Sequence, residues 1–564
     1  MRWKQYLDAA SKWLTSAQFT SILQAVAAGV GLIFGVSLAI GTVGFSVWAV
    51  AGLLLAAAVG LDVAWRSAPV SSHIRTLFKV SLVAWIFLAP ALADAAFSLS
   101  GALLRTAAAS TMGSVVTGLL VGLVTLAMPG FLVGLSIAQS NRFSVRSLFG
   151  IALGIAFAPL LPIATLGAQS LALLTAAVAA VFEIARAILG RDSEFEITQA
   201  NKNASSAYAT LLSYFGILTA GASIAILARV LNQTMPASLQ AMAWGMAAVL
   251  AGTVIGYRRS QRNASALPVC YALLAISLSS AFLLFPQIVQ TQLAVNAKVS
   301  IAPAVFALRG LLTALIMLPA GLVVGCSLSR LKSANGGFPS PGMTAVCGLV
   351  AAWFICPVVG SSVLAMMLIA VVGVLTVASV RASSVHWVPK STAGWTAVVL
   401  AVVAAIATPF GVNRFDTELS SQLLFSSAVF REYANGTESH LLLATNDGRR
   451  LSTYESADGV SSAWRYAGTR IQVRQNGIPV SVTSTDVSTC PQSASAIMPV
   501  VLPLLLHESA ENILLLGDVG PAAEATSLMF PITSVTTLGR ETRTSDEVDQ
   551  HFKARHADDR FTKV

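Results

Sequence analysis

Charged side chains are scarce in this sequence, and their scarcity decides its broad class. Only 11% of the 564 residues are charged and 55% are hydrophobic, which gives a mean hydropathy of +0.74. Soluble domains carry about 25% charged residues, so this chain cannot cover a water-facing surface of its own. A lipid bilayer is the solvent that fits such a composition, and we predict an integral membrane protein.

Acidic residues are scarcest in the first part of the chain. Residues 1–411 contain 22 Lys or Arg and 7 Asp or Glu, whereas residues 412–564 contain 13 and 18. The basic residues of the first part fall in short loops, so their excess indicates membrane topology rather than a nucleic-acid-binding surface. We therefore expect the lipid bilayer as a partner, and no nucleic acid.

Cysteine is also rare. The five cysteines form no Cys-x-x-Cys pair and four of them lie in apolar runs, so the sequence indicates neither a metal site nor a redox framework. The polar N-terminus lacks the shape of a cleavable signal peptide, and we expect the first span to be retained.

Long apolar runs are what the sequence has in abundance. A spanning helix needs about 20 consecutive apolar residues whose backbone groups bond within the segment. The runs that meet this requirement are residues 19–41, 45–65, 77–100, 111–138, 147–169, 170–190, 207–231, 237–257, 266–288, 302–328, 342–360, 361–381 and 393–411. They predict a mostly α fold, a polytopic transmembrane bundle of 12–13 spans.

Basic residues flank the ends of alternate spans and set the topology. They include Arg66, Arg142, Arg191, Arg258, Arg330 and Arg381. The positive-inside rule then places the N-terminus in the cytoplasm, and we expect a bacterial inner (plasma) membrane. Twelve spans would leave the tail in the cytoplasm and thirteen would place it outside. Residues 393–411 are apolar enough to span, so we favour thirteen.

A polar linker, residues 191–206, divides the first twelve spans into two sets with matching features. Ser16, Ala17 and Thr20 recur as Ser206, Ala207 and Thr210; Gly130, Gly134 and Ser136 recur as Gly321, Gly325 and Ser327; and Gly150 and Pro159 recur as Gly348 and Pro357. Three matches in the same order predict two related six-helix halves, residues 1–190 and 207–411, the second with an extra span.

After Val412 the pattern changes to that of a small α+β tail. Alternating segments predict antiparallel strands at 426–432, 439–444, 449–454, 470–475 and 478–484. A helix over 491–507, a buried strand from Asn512, a helix from Pro521, a strand over 533–538 and a helix over 545–556 follow. We divide the tail into a β-strand region, 412–489, and the start of a Rossmann-like α/β domain, 490–564.

Charged residues inside the spans are costly in lipid and are candidates for function. They are Asp62, Asp94, Glu183, Arg229 and Arg309. We expect Arg229 to reach the interface from its span end. Asp94 and Arg309 then lie deepest, either as substrate or proton sites of a transporter or as structural pairs between helices.

The turn that follows the buried strand of the tail is a second candidate. Gly517, Asp518 and Gly520 stand where an open α/β sheet binds a nucleotide, because glycine lets the backbone approach a ligand and the next helix offers free amides. An ordinary strand-to-helix turn has the same composition.

The tail resembles the spermidine synthase (polyamine aminopropyltransferase) family, which has an N-terminal β-domain and then a Rossmann-like domain. The likeness is carried by Asn476 and Gly477 before a strand, the helix around Pro499, the loop from Gly517 to Gly520, the strand from Ser534 to Leu538, and Asp558 to Phe561 before a further strand. The whole chain resembles bacterial proteins that fuse a major-facilitator-like membrane region to such a domain.

This resemblance implies an activity and a ligand set. The family transfers an aminopropyl group from decarboxylated S-adenosylmethionine, as co-substrate, to a small amine. Gly517, Asp518, Gly520 and Glu541 are the positions that would hold the nucleoside part. No catalytic residue can be named, since the family's catalytic Asp falls beyond Val564, and we expect a tail that is truncated or degenerate.

Departures from the family keep two other functions open. The acidic residue that ends the family's second Rossmann strand is Gly539 here, with Glu541 two positions later. A catalytically inactive sensor or scaffold would explain this loss. A major-facilitator-like secondary transporter with a regulatory or non-catalytic tail would explain the duplicated spans, the prolines within them, Asp94 and Arg309.

Overall fold

The structure is a computed structural model. It describes isolated positions and short stretches between residues 25 and 95 and between 171 and 178, and then residues 145–160, 207–234, 238–262, 266–298, 302–331, 341–383, 392–412, 415, 448–456, 459–466, 470–475, 477–484, 494–507, 509–516, 520–538 and 559–563.

Long helices form the described part of the bundle. They are α1 (Val145–Phe157), α2 (Ala207–Thr234), α3 (Ser238–Arg262), α4 (Ala266–Leu283), α5 (Phe285–Lys298), α6 (Ala302–Leu331), α7 (Pro341–Val359), α8 (Ser361–Ser383) and α9 (Thr392–Val412). A short 3-10 turn, Ala158–Leu160, follows α1. Within the described residues, six helices are long and apolar enough to cross a membrane: α2, α4, α6, α7, α8 and α9.

The predicted helices of the second half are confirmed to within a few residues, with one difference. The apolar run 266–288 is broken after Leu283, and α5 begins at Phe285. Pro286 causes the break, because it has no N–H to continue the helical ladder and its ring is well suited to the first turn of a new helix. Most of the predicted spans between residues 19 and 190 lie outside the described residues.

Glycines hold α3 and α6 in close contact along their length. A Cβ at Gly321 or Gly325 of α6 would overlap the backbone carbonyls of Val249 and Thr253, and Gly252 of α3 meets the backbone of α6 in the same way. The match Gly321-x-x-x-Gly325, which the sequence analysis ascribed to a repeat, therefore serves helix–helix packing directly.

A second glycine crossing joins α2 to α7 and has a counterpart in the first half. Gly221 of α2 meets the backbone of Ala345, and Gly348 of α7 meets that of Leu218. In the first half, Gly154 of α1 meets the backbone of Val26, and Gly29 meets that of Ile151. In the first-half crossing the α1 glycine in backbone contact is Gly154, whereas sequence spacing matches Gly150 to Gly348, and the duplication stays a prediction.

The tail contains two separate sheets. Strands β1 (Gly448–Ser456), β2 (Gly459–Tyr466), β3 (Arg470–Gln475) and β4 (Ile478–Ser484) form an antiparallel meander in chain order. After α10 (Ala494–Leu506), strand β5 (Asn512–Leu516), helix α11 (Gly520–Ser527), β6 (Ser534–Leu538) and β7 (Phe561–Lys563) form a parallel sheet in the order β5-β6-β7.

Most predicted tail elements are confirmed, and two strands were missed. Strand β2 escaped detection because its Ser461, Ser462 and Ala463 give no apolar alternation, although all three are buried. Strand β7 is a third strand of the parallel sheet, in addition to the predicted strands from Asn512 and over 533–538. The predicted strands 426–432 and 439–444 and the helix 545–556 lie outside the described residues.

Each sheet has its own small core. In the meander, Trp464 and Ile471 are buried and the guanidinium of Arg474 stacks 4.9 Å from the centre of the Trp464 ring. In the parallel unit, Leu515, Ala523 and Val535 pack together from a strand, a helix and a strand. A strand, helix and strand that share one core are the minimal unit of an α/β fold.

The chain beyond α9 returns to one end of the bundle. Phe415 packs on Phe282 and Phe285, at 5.0 and 4.9 Å between ring centroids, where α4 gives way to α5. Gly411 lies against Leu283 at the same place. Strand β1 contacts α7 near the α7–α8 connection, so the meander is in contact with the bundle.

Candidate functional site at the junction of bundle and sheet

The second half of the bundle has basic residues but no acidic ones. No Asp or Glu occurs from residue 197 to residue 415, yet Arg229 and Arg309 lie inside helices of this region. A buried guanidinium needs a carboxylate or several hydrogen-bond acceptors, because leaving its charge unpaired out of water is costly. A carboxylate partner for these arginines must therefore come from another part of the chain.

Strand β1 of the tail supplies that partner to Arg229. The Nη1 atom of Arg229, in α2, lies 3.6 Å from Oε2 of Glu455. The Arg229 side chain is 4% exposed and Glu455 is 22% exposed. The guanidinium carbon also lies 5.4 Å from the centre of the Trp353 ring of α7, a cation–π contact. Arg229 thus extends towards the end of the bundle where α7 meets α8, but it is buried and paired there; its depth in a membrane stays a prediction.

The start of α8 holds the same carboxylate oxygen. The backbone N–H of Ser361 donates to Oε2 of Glu455 at 2.9 Å, and the Ser361 hydroxyl donates to it at 2.5 Å. The thiol of Cys356 lies 3.7 Å from this oxygen and 3.1 Å from the Ser361 hydroxyl. We call Arg229, Cys356, Ser361 and Glu455 the junction site.

A one-residue connection between α7 and α8 creates the cap that receives Glu455. Gly360 has φ of +90°, a conformation that residues with a Cβ adopt poorly. Its N–H bonds the carbonyl of Cys356 at 2.8 Å, and its carbonyl accepts the N–H of Leu364 at 3.1 Å. A single residue thus separates α7 from α8, and the Ser361 amide at the α8 N-terminus points at the arriving carboxylate.

The hairpin of β1 and β2 presents Glu455 to the bundle. Glu455 pairs with Val460, one position before the final pair, Ser456 with Gly459, so it lies beside the tip of the hairpin. A buried positive charge, two Ser361 donors and a helix N-terminus all face the carboxylate. The arrangement can bind and orient a carboxylate.

Of the other charged residues inside the spans, the structure describes only Arg309. Arg309 is 7% exposed in α6, where its backbone carbonyl accepts the Thr313 hydroxyl at 2.9 Å. Asp62, Asp94 and Glu183 lie outside the described residues. A role for Asp94 and Arg309 in transport stays a prediction.

The structure describes the strand and the helix that flank the predicted nucleoside site. Strand β5 ends at Leu516, and Gly520 is the first residue of α11, as strand-turn-helix spacing predicts. Gly517, Asp518 and Glu541 lie outside the described residues. Among the residues that the structure does describe, no three His, Cys, Asp or Glu side chains form a cluster able to hold a metal.

Sequence reasoning missed Glu455, and one signal could have found it. Nothing near Glu455 in strand β1 marks it, because an acidic residue in a polar strand is common. The absence of acidic residues from 197 to 415 is the indirect signal, because it means that a carboxylate partner for Arg229 has to be sought elsewhere, for example in the tail. No protein-family model, no curated protein and no solved structure matches this chain.

Proposed function

We propose that this chain is a membrane-embedded spermidine synthase-like protein, in which a helical bundle is fused to an aminopropyltransferase-type tail. The observation that carries the proposal is the order of elements after α9: a four-stranded antiparallel sheet, a helix, and a parallel β-α-β-β unit. This is the succession of a β-domain and a Rossmann-like domain that the resembled family has.

The parallel sheet indicates where a nucleoside would bind. Strands β5 and β6 run in the same direction with Leu516 opposite Leu538, so their carboxyl ends meet at one edge. Ligands of open α/β sheets bind outside such an edge. Gly517 and Asp518 follow the first strand end and Glu541 follows the second, which supports them as the residues that contact the nucleoside.

The chemistry of an active tail would be alkyl transfer. An amine nitrogen attacks the aminopropyl carbon bonded to the sulfonium of decarboxylated S-adenosylmethionine, the carbon–sulfur bond breaks, and methylthioadenosine leaves with the electron pair. The attacking amine then loses a proton to a base. The described residues supply no base at the sheet edge, so binding of the nucleoside is the property to test first.

Calorimetry on the purified full chain in nanodiscs tests this proposal with methylthioadenosine as the titrant. We expect saturable one-to-one binding that weakens at least tenfold in Asp518→Asn and in Glu541→Gln. Glu511→Gln is the matched control, because Glu511 is an exposed acidic residue just before β5, and it should bind like the parent. The absence of binding to the parent chain would overturn the proposal.

The second candidate function is a major-facilitator-like transporter with a regulatory or non-catalytic tail. The buried Arg229 and Arg309 favour it, because charges inside a bundle usually serve ion or substrate movement. Proteoliposomes that hold the full chain should then accumulate radiolabelled polyamine, and Arg309→Gln and Asp94→Asn should each reduce the initial rate at least tenfold. Uptake equal to that of empty liposomes would remove this candidate.

A further inference from the structure

The junction site concentrates its contacts on a single carboxylate oxygen. Oε2 of Glu455 is approached by the Arg229 guanidinium, the Ser361 amide, the Ser361 hydroxyl and the Cys356 thiol. These are the contacts of an anion-binding site and exceed those of a simple ion pair, which needs only the guanidinium.

All the groups that hold this oxygen belong to the bundle, and they are more deeply buried than Glu455. Ser361 is 0% exposed, Cys356 is 1% exposed and Arg229 is 4% exposed, against 22% for Glu455. The carboxylate is thus the accessible member of the group. It enters the site from the tail side, as a ligand enters a pocket.

The bundle holds these groups in place without help from the tail. Arg229 rests on the Trp353 ring, and α2 is fixed to α7 by the crossing of Gly221 with Gly348. Ser361 is fixed by the one-residue turn at Gly360. Removal of the Glu455 side chain would therefore leave a formed, positively charged cavity. The segment from residue 197 to residue 415 contains no acidic residue that could neutralise this charge.

We propose that this end of the bundle is a carboxylate-binding site whose resident ligand is Glu455, and that it accepts a small free carboxylate when the Glu455 side chain is absent. The site recognises the ligand by the Arg229 charge and by the two Ser361 donors. Glu455 thus acts as a tethered ligand that couples the position of the β1–β2 hairpin to α2, α7 and α8. This inference does not depend on what the parallel sheet binds.

Chemical rescue of Glu455→Ala tests the proposal on the full chain in nanodiscs. Two quantities are measured: the midpoint of thermal unfolding, and the rate of alkylation of Cys356 read by peptide mass spectrometry. The variant should unfold at a lower temperature and its Cys356 should react at least tenfold faster than in the parent chain. Cys347, which also lies on α7 but outside the junction site, is the internal control for alkylation and should react at the same rate in both chains.

Sodium acetate should reverse both effects in a saturable manner, whereas equal concentrations of sodium chloride and of acetamide should not. Acetate should do nothing to Glu455→Ala combined with Arg229→Gln, since the charge that binds it is gone. The proposal is overturned if acetate acts no better than chloride, or if it rescues the double variant equally.

A milder variant keeps the test decisive if Glu455→Ala does not fold. Glu455→Asn removes the charge and one methylene, which leaves room for formate beside Ser361. Formate should raise its unfolding midpoint and slow the alkylation of Cys356, and formamide should not. An equal response to formate and formamide would contradict a carboxylate site.

Discussion

At the scale of residues, Arg229 and Glu455 show how a charge is kept inside an apolar bundle. Neither the ion pair nor the hydrogen bonds alone would offset the desolvation of a guanidinium that is 4% exposed. Several weak favourable interactions offset this cost, and they include the carboxylate, the Trp353 ring and the Ser361 donors that hold the carboxylate in place. Removal of any one of these partners should therefore weaken the remaining contacts of Arg229.

Glu455→Gln should lower the free energy of unfolding by about 1–3 kcal/mol, the range for a buried hydrogen-bonding group that loses its partner. Arg229→Gln should cost a similar amount. The double variant should cost less than the sum, because no uncompensated charge remains.

Thermal unfolding in nanodiscs, followed by tryptophan fluorescence, measures these shifts. Glu511→Gln, at an exposed position in the tail, is the control and should leave the midpoint unchanged. Strictly additive losses in the double variant would mean that the two side chains do not interact.

At the scale of elements, the sequence was most informative where one physical requirement dominates. The bounds of α2, α7, α8 and α9 follow from the length of apolar run that a bilayer demands, and β3 and β4 follow from alternation around a turn at Gly477, whose φ is +82°. Strand β2 was harder to predict, because tertiary burial and not its own sequence pattern determines it. The break at Pro286 was also harder to predict, because it depends on a single missing N–H.

The junction site could not be predicted in the same way. Its partners stand on β1, α2, α7 and α8, and only the folded chain brings these elements together. Sequence reasoning identified Arg229 as a charge inside a span but assigned it no partner, because position along a helix does not reveal which distant residue meets it.

The glycine crossing of α3 with α6 gives the sharpest prediction for an element. Gly325→Ala places a Cβ against the Thr253 carbonyl, so the two helices must separate, and the free energy of unfolding should fall by about 1–3 kcal/mol, the usual cost of an overpacked core. Gly373→Ala, on α8, is the matched control, because nothing lies within 4 Å of its added Cβ. It should be neutral or slightly stabilising by helix propensity.

Fluorescence-detected size-exclusion chromatography after heating compares the two alanine variants with the parent chain. Gly325→Ala should aggregate at a clearly lower temperature, and Gly373→Ala should behave like the parent. Equal behaviour of both variants would show that α3 and α6 are not in backbone contact.

At the scale of the whole molecule, the bundle has a basic end and an end that carries the meander. Arg258 and Arg259 of α3 and Arg330 of α6 lie on one side of the bundle, because α3 and α6 run in the same direction, with Gly321 against Val249 and Gly325 against Thr253. Arg381 lies at the end of α8 that is remote from the α7–α8 connection. The α7–α8 connection, where Glu455 docks, lies at the opposite ends of these helices. From the positive-inside rule we predict that the tail lies on the non-cytoplasmic side, in agreement with the expectation of thirteen spans.

Labelling of Glu511→Cys tests this sidedness. A membrane-impermeant maleimide should label the introduced cysteine in intact cells, relative to the parent chain, whereas Arg258→Cys should be labelled only after the cells are opened. The reverse result would place the tail in the cytoplasm. A tail outside the cytoplasm would separate it from cytosolic nucleoside donors and would favour transport or sensing over aminopropyl transfer.

The central claim is that the tail docks on the helical bundle through Glu455, and a crosslink between Glu455→Cys and the native Cys356 tests it most directly. A protease site inserted between Val412 and Gly448 separates the bundle from the tail on a gel unless the two are linked. Treatment with a short bifunctional thiol reagent should keep the fragments together in Glu455→Cys and not in Glu511→Cys. Fragments that separate equally in both variants would contradict the account.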